Sequence, residues 1–132
     1  MPREQVRLMR KGWIRTVAGG AAIVVASALT GCSSLDSSYE ARLAEHLSET
    51  GARMYGAYWC PHCAVQKDYF GGSASRLPYV ECDPEGFGAQ AALCDEVGIE
   101  AYPTWVIEGD RYLGAQPLSQ LATLSGFESP RD

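Results

Sequence analysis

Two cysteines separated by two residues constrain this chain more than any other feature of its sequence. The segment Cys60-Pro61-His62-Cys63 follows an apolar and aromatic stretch, residues 54–59, which predicts that the motif lies between a buried strand and a helix. Two thiols at this spacing can close a small disulfide ring and open it again. Cys60 falls at the predicted helix start, where free backbone N–H groups and the helix dipole favour an anion, so we expect a reactive thiol of low pKa. Pro61 suits the first turn of such a helix, where its missing N–H is no loss.

The N-terminal segment has the layout of an export signal rather than of a folded element. Residues 1–16 hold five basic residues and one acid, and residues 17–30 carry no charge. A basic segment followed by a short apolar one predicts a secretory signal. The apolar segment has 14 residues. A membrane span needs about 20, so a retained anchor is the weaker alternative.

The end of the apolar segment, Leu29-Thr30-Gly31-Cys32, resembles the bacterial lipobox, in which the cysteine receives lipid and becomes the first mature residue. We therefore expect residues 1–31 to be a lipoprotein signal peptide, Cys32 to be lipidated and residues 32–37 to form a tether. The protein would then be a cell membrane lipoprotein facing the periplasm or another extracytoplasmic space. The alternative is a plain secretory signal, with Cys32 an incidental thiol.

Cysteine number and charge agree with this processing. The chain has five cysteines, and lipidation of Cys32 leaves an even number, which suits pairing in an oxidising compartment. The whole chain has a net charge of −5, of which residues 1–31 contribute +4, so the mature part is at −9. Such an acidic domain lacks the basic surface that nucleic acids require. It would not bind an anionic membrane by charge either, so the lipid would be the tether.

Hydrophobic patterns and turn residues predict one α/β domain of eight elements in the order α-β-α-β-α-β-β-α. Alternation of strands and helices favours parallel pairing, and the final hairpin adds an antiparallel edge. The predicted helices end near residues 50, 70, 97 and 125, and the predicted strands cover residues 52–59, 78–82, 104–107 and 111–115.

This order, with the C-x-x-C after the first strand and Tyr102-Pro103 before the hairpin, resembles the thioredoxin fold over residues 38–126. The resemblance implies a four-stranded mixed sheet flanked by helices, without the usual first strand, and leaves residues 127–132 as a C-terminal tail. Within this fold the chain is similar to the thioredoxin-like domain fused to bacterial vitamin K epoxide reductase homologues. The segments that carry this closer likeness are residues 51–63, 78–82, 93–94 and 98–105.

The resemblance implies roles for the motif residues. Cys60 is expected to be the exposed, attacking thiol, and Cys63 the resolving thiol that releases the mixed disulfide. Pro61 and His62 complete the catalytic motif, with the imidazole stabilising the thiolate and so making the disulfide more oxidising. The alternative is that His62 is a solvated turn residue with no role in the chemistry.

The same resemblance predicts a substrate groove and shows one departure. Tyr102 and a cis Pro103 are expected to form the groove's floor, with Trp59 at its rim. Thioredoxin and its oxidising relatives carry a buried carboxylate six residues before the first cysteine, where this chain has Met54. Proton transfer at the second thiol must therefore use water or another residue, or proceed more slowly.

Cys82 and Cys94 fall at the end of a strand and in the following helix. We expect a structural disulfide between them, and the alternatives are a second redox pair or a four-cysteine metal site. The metal alternative is weak because a second C-x-x-C is missing, so no metal is expected.

The sequence as a whole predicts a monomeric, membrane-anchored thiol:disulfide oxidoreductase whose only redox group is the Cys60–Cys63 disulfide. Its expected partners are cysteine-containing exported proteins and a membrane quinone enzyme like vitamin K epoxide reductase, which would reoxidise it. The alternatives are a disulfide reductase of the same fold and a non-catalytic metal-holding or adaptor module.

Overall fold

The computed structural model describes residues 38–129. The predicted signal peptide, Cys32, the predicted tether before residue 38 and the last three residues lie outside the described part. The helices and strands, in chain order, are α1 (Tyr39–Glu49), β1 (Arg53–Gly56), α2 (Pro61–Phe70), a 3₁₀ helix (Gly71–Arg76), β2 (Tyr79–Glu81), α3 (Ala91–Val97), β3 (Thr104–Ile107), β4 (Asp110–Leu113) and α4 (Leu118–Ser125).

The four strands form one mixed sheet in the order β2-β1-β3-β4. β1 and β2 are parallel, whereas β3 pairs antiparallel with both β1 and β4. The α/β class, the four-stranded mixed sheet and the thioredoxin-like order of elements predicted from the sequence are confirmed. In the described residues, helix α1 precedes the first strand.

The pairing of β3 corrects the expectation that strands alternating with helices run parallel. Thr104, the first residue of β3, pairs with Tyr55 near the carboxyl end of β1. A disulfide between Cys82 and Cys94 keeps α3 beside the end of β2. The chain thus never returns to the amino end of the sheet before β3 begins, and only the β1-α2-β2 unit is parallel.

Alternation along the strands divides the core between the two faces of the sheet, because successive strand side chains point to opposite sides. Met54 belongs to the larger cluster, with side chains from α1, α2 and α4, and Tyr55 to a smaller one against α3. The largest fully buried side chains of the larger cluster are Trp105, Phe70, Leu43, Leu47, Met54, Ile107 and Leu121.

Strand β1 is shorter than its apolar sequence predicts. It ends at Gly56, and the side chains of Tyr58 and Trp59 turn outward, with 59% and 57% of their surface exposed. Helix α2 begins and ends where predicted, because Pro61 occupies its first turn and Gly71 closes it with a positive φ of 51°.

Residues just past α4 contact α1. The Phe127 ring packs edge-on against Tyr39 and lies 5.3 Å from the His46 ring, and Arg42 donates to Ser129 Oγ. His46 Nε2 also lies 2.8 Å from the Ser125 carbonyl oxygen, which ties α1 to the end of α4. Within the part of the chain described, no helix is long and apolar enough to cross a bilayer.

Candidate active site

The Cys60 side chain caps the amino end of α2. Cys60 has an extended backbone, and its Sγ accepts a hydrogen bond from the Cys63 N–H at 3.2 Å. The Cys60 carbonyl accepts from the Ala64 N–H, so the helical hydrogen bonds begin at this residue. Both thiols of the motif are free. A sulfur aimed at a helix N-terminus is in the position that stabilises a thiolate.

The expectation that Cys60 is exposed is wrong. Its exposed fraction is 5%, against 1% for Cys63, and both sulfurs belong to the larger core cluster. The cause is the capping geometry, because the Cys60 side chain turns back toward the helix instead of outward. Access for a substrate therefore depends on the residues that surround Cys60.

Cys63 lies in surroundings that favour the neutral thiol. Burial, followed by the hydrogen bond with Cys60, raises the pKa of Cys63 to about 12, although the positive charge of Lys67 acts in the opposite direction. Cys63 therefore holds its proton at neutral pH. Any step in which Cys63 attacks a disulfide requires a group that accepts this proton.

Pro61 and His62 both lie exposed in the first turn of α2. The His62 imidazole therefore lies at the surface near the start of α2. In the sequence it stands between the two cysteines.

The exposed Trp59, directly before the motif, contacts residues from two other segments. Trp59 donates from its indole Nε1 to Asp83 Oδ2 at 2.7 Å, and its ring meets that of Tyr102 edge-on, with centroids 6.1 Å apart. The indole hydrogen bond, with a second one from the Glu85 N–H, lowers the pKa of Asp83. The structure thus brings Trp59, the residue before Cys60, into contact with Tyr102.

The peptide bond between Tyr102 and Pro103 is cis, as expected. Pro103 is fully buried, and its carbonyl accepts from the Gly114 N–H at 2.8 Å. Burial raises the pKa of Tyr102, and the Asp83 charge adds to this effect. Tyr102 therefore remains a neutral phenol at the edge of the site.

A second group of polar residues lies behind Cys63 and was not predicted. A Cβ placed on Gly56 would lie 2.8 Å from Cys63 Sγ, 2.9 Å from Tyr79 Cε2 and 3.4 Å from the Tyr79 hydroxyl, so these atoms share the space beside Gly56. The Tyr79 hydroxyl donates to Glu81 Oε2 at 2.8 Å, and Glu81 Oε1 accepts from the Asp83 N–H at 2.9 Å. Glu81 is only 5% exposed.

The sequence carried a signal for this group. Residues 78–82 are otherwise apolar or aromatic around one acid, and a buried acid in a strand needs partners. Tyr79 and Glu81 are two residues apart and so share one face of β2. What the sequence could not give is the approach of that face to Cys63.

Cys82 and Cys94 form the predicted disulfide, with Cα atoms 5.7 Å apart, and it joins the end of β2 to α3. A four-cysteine metal site would need both of these sulfurs as free thiolates. Among the residues the structure describes, no group of three or more His, Cys, Asp or Glu side chains could hold a metal ion.

Comparison with known proteins identifies a relative that is named as a thiol-disulfide oxidoreductase. The sequence is 43% identical over 102 residues to the thiol-disulfide oxidoreductase LTO1 of Arabidopsis thaliana. The chain resembles one part of that protein. The alignment covers 74% of this chain and 27% of LTO1, so the chain spans about a quarter of its relative's length. No protein-family model matches the sequence.

Two solved structures are similar to part of this chain. A thioredoxin from Malassezia sympodialis is 24% identical, with a TM-score of 0.42, over 56% of this chain and 73% of that protein. Oxidised glutaredoxin 2 from Chlamydomonas reinhardtii is 20% identical, with a TM-score of 0.40, over 67% of this chain and 98% of the glutaredoxin.

Proposed function

We propose that this chain is a thiol:disulfide oxidoreductase that exchanges disulfides through Cys60 and Cys63. The observation that carries the proposal is the hydrogen bond from the Cys63 N–H to Cys60 Sγ at the start of α2. This bond places Cys60 Sγ at the positive end of the helix dipole, where the sulfur can attack and leave in a disulfide exchange. The similarity to the redox relative supports the same chemistry.

The exchange follows from the different surroundings of the two sulfurs. A substrate thiolate attacks Cys60 Sγ in the Cys60–Cys63 disulfide, and Cys63 leaves as a thiolate that takes up a proton. A second substrate thiolate then attacks the substrate sulfur of the mixed disulfide, and Cys60 leaves as a thiolate. The substrate loses two electrons and the pair gains them, so the disulfide is the only redox group in the proposed reaction.

The proposed setting comes from the N-terminal sequence. We place the protein on a membrane through lipid on Cys32, facing the periplasm or another extracytoplasmic space, where it acts as a monomer on cysteine-containing exported proteins. A membrane quinone enzyme like vitamin K epoxide reductase would reoxidise it. The acidic chain gives no basis for nucleic-acid binding. The Cys82–Cys94 disulfide supports an oxidising compartment.

The reduction potential of the Cys60–Cys63 pair tests the direction. We would purify the full-length chain in detergent, equilibrate it with glutathione buffers and trap free thiols. A potential near about −120 mV would support a disulfide donor, whereas one near about −270 mV would make the protein a reductase that needs an electron supply.

Two serine variants test catalysis itself. Cys63→Ser should accumulate a mixed disulfide when its Cys60 thiolate attacks the disulfide of an oxidised, unfolded substrate protein, whereas Cys60→Ser should form none. Equal behaviour of the two variants and the unmodified chain toward this oxidised substrate would favour the adaptor alternative.

The anchor has its own test. Cys32→Ser, produced in a bacterium, should lose labelling by a radioactive fatty acid and move from the membrane to the soluble extracytoplasmic fraction. Retention of the label would show that another residue carries the lipid.

A further inference from the structure

Cys63 needs a proton acceptor, and the position of the usual buried carboxylate is occupied by Met54, whose side chain is fully buried and cannot accept a proton. We propose that Tyr79 and Glu81 form a proton relay that serves Cys63, with Glu81 as the terminal acceptor. This inference rests on the proposed disulfide exchange and adds the group that moves its proton.

The geometry brings Tyr79 next to Cys63 beside Gly56. Cys63 Sγ and the Tyr79 hydroxyl both lie within 3.4 Å of the point where a Cβ on Gly56 would stand. The two atoms are therefore close enough for one bridging water molecule to pass a proton between them. Glycine at position 56 is what leaves this space open between β1, β2 and α2.

The hydrogen bond that the second step of the relay needs is present in the structure. The Tyr79 hydroxyl donates to Glu81 Oε2 at 2.8 Å, and the other carboxylate oxygen accepts from the Asp83 N–H at 2.9 Å. Gly86 closes over the carboxylate, because a Cβ there would lie 2.5 Å from Glu81 Cδ. The carboxylate is thus fixed with one oxygen on Tyr79 and the other on the turn after β2.

The transfer leaves the phenol unchanged. When Cys63 attacks, its thiol proton passes to the Tyr79 oxygen as the Tyr79 proton passes to Glu81, so a thiol and a carboxylate become a thiolate and a carboxylic acid. When Cys63 leaves as a thiolate, the same protons return. Only proton positions change in the relay, and the electrons move in the disulfide exchange itself.

The charges around Tyr79 agree with this scheme. Burial, and next the hydrogen bond to Glu81, raises the pKa of Tyr79 far above its ordinary value, so the phenol stays neutral before and after each transfer. The titratable groups that face it are Glu81 on its own strand and Cys60, Cys63 and Lys67 from the α2 side. The Lys67 ammonium lies 3.7 Å from the Tyr79 ring centroid and favours a thiolate on Cys63.

The test separates the Cys63 step from the Cys60 step. The reduced full-length chain is mixed with excess 5,5′-dithiobis(2-nitrobenzoate), and release of thionitrobenzoate is followed by stopped flow over a range of pH. In the first phase Cys60 attacks the reagent, and the phase rate depends on reagent concentration. In the second phase Cys63 attacks Cys60 Sγ and releases the second thionitrobenzoate, at a rate independent of reagent concentration.

Tyr79→Phe and Glu81→Gln should each slow the second phase at neutral pH by about 10²-fold, the lower end of what positioned proton transfer contributes. The first phase should be unchanged. The rate difference should shrink as the pH rises, because hydroxide then replaces the carboxylate. The matched control is Tyr69→Phe on the exposed side of α2, where the tyrosine is 45% exposed, and it should behave like the unmodified chain.

The outcomes distinguish the two proposals. An unmodified chain without a second phase would overturn the proposed function. A normal second phase with unchanged rates and pH profiles in both variants would overturn the relay and leave the function standing. Slowing by the same factor at every pH would indicate displaced packing and also overturns the relay.

A measurement on the unmodified chain does not depend on any variant folding. The second phase should show a solvent deuterium isotope effect that the first phase lacks, since only the second includes a proton transfer. Equal isotope effects in the two phases would contradict the relay.

Discussion

Cys60 and Cys63 are three residues apart and carry the same thiol, yet their surroundings favour different steps of an exchange. Cys60 Sγ receives the Cys63 N–H at the helix start, as an attacking thiolate requires. Cys63 is buried beside Gly56 and Tyr79, and burial raises its pKa, as a proton-carrying partner requires. His62 stands between them in sequence and on the surface.

The imidazole of His62 is expected to make the disulfide more oxidising, because a hydrogen-bonding or positive ring near the helix start favours the reduced, thiolate form. His62→Ala should therefore lower the reduction potential of the pair by roughly 30 mV or more, which is tenfold in the equilibrium with glutathione. His46→Ala, far along α1, is the control variant. An unchanged potential in His62→Ala would leave the imidazole as a solvated turn residue.

Asp83 gives a second prediction for a single residue. Its pKa is lowered by the Trp59 indole, and a carboxyl with a lowered folded-state pKa adds stability above its unfolded pKa, about 3.9, that is lost as the pH falls through the folded value. Trp59→Phe should raise the pKa of Asp83 toward that value. A titration of the Asp83 side-chain carbon by NMR would show the change, and identical titrations in both proteins would exclude the indole as its cause.

Among the elements, the end of β1 and the first turn of α2 approach each other too closely for any side chain at position 56. In Gly56→Ala the new Cβ would meet Cys63 Sγ at 2.8 Å and Tyr79 Cε2 at 2.9 Å, so the buried side chains of Cys63 and Tyr79 would have to shift. We expect a loss of about 1–3 kcal/mol in the free energy of unfolding, the usual range for overpacking. Urea denaturation measures it, with Gly72→Ala as the control because a Cβ there meets nothing within 4 Å.

The helices and strands show how far the sequence predicts the structure. Local signals placed α2 and α4 correctly, because a proline near the start and a glycine just past the end are readable in the chain. β1 was predicted too long, since an aromatic run in sequence does not reveal that Tyr58 and Trp59 face solvent. The relay residues were missed because the distance between Tyr79 and Cys63 depends on how β2, β1 and α2 meet.

The Cys82–Cys94 disulfide belongs to the scale of elements too, because it closes a loop with a sequence separation of 12 between β2 and α3. Cys82→Ala with Cys94→Ala should destabilise the fold by about 3 kcal/mol in the chain-entropy model. A structural bond predicts that the Cys60–Cys63 potential stays the same in this double variant. If the two cysteine pairs instead exchange electrons, the double variant should be reoxidised more slowly by a membrane quinone enzyme.

At the scale of the whole molecule, the oxidation state of the pair should decide how the fold responds to alkali. A thiol with a raised folded-state pKa favours folding below its unfolded pKa, about 8.5, and this contribution is lost as the pH rises toward the folded value of about 12. In the reduced protein Cys63 should therefore lower the free energy of unfolding by up to about 1.4 kcal/mol per pH unit above pH 8.5.

Reduced Cys63→Ala is the matched comparison, because it removes the Cys63 thiol and keeps every other titratable side chain. Urea denaturation from about pH 7 to pH 10 should give two curves that diverge above the unfolded thiol pKa, with the unmodified chain losing stability faster. Parallel curves would mean that Cys63 gains its charge as easily in the fold as in the unfolded chain. That result would also remove the need for a proton acceptor behind Cys63. Urea denaturation therefore tests the premise of the relay independently of the stopped-flow rates.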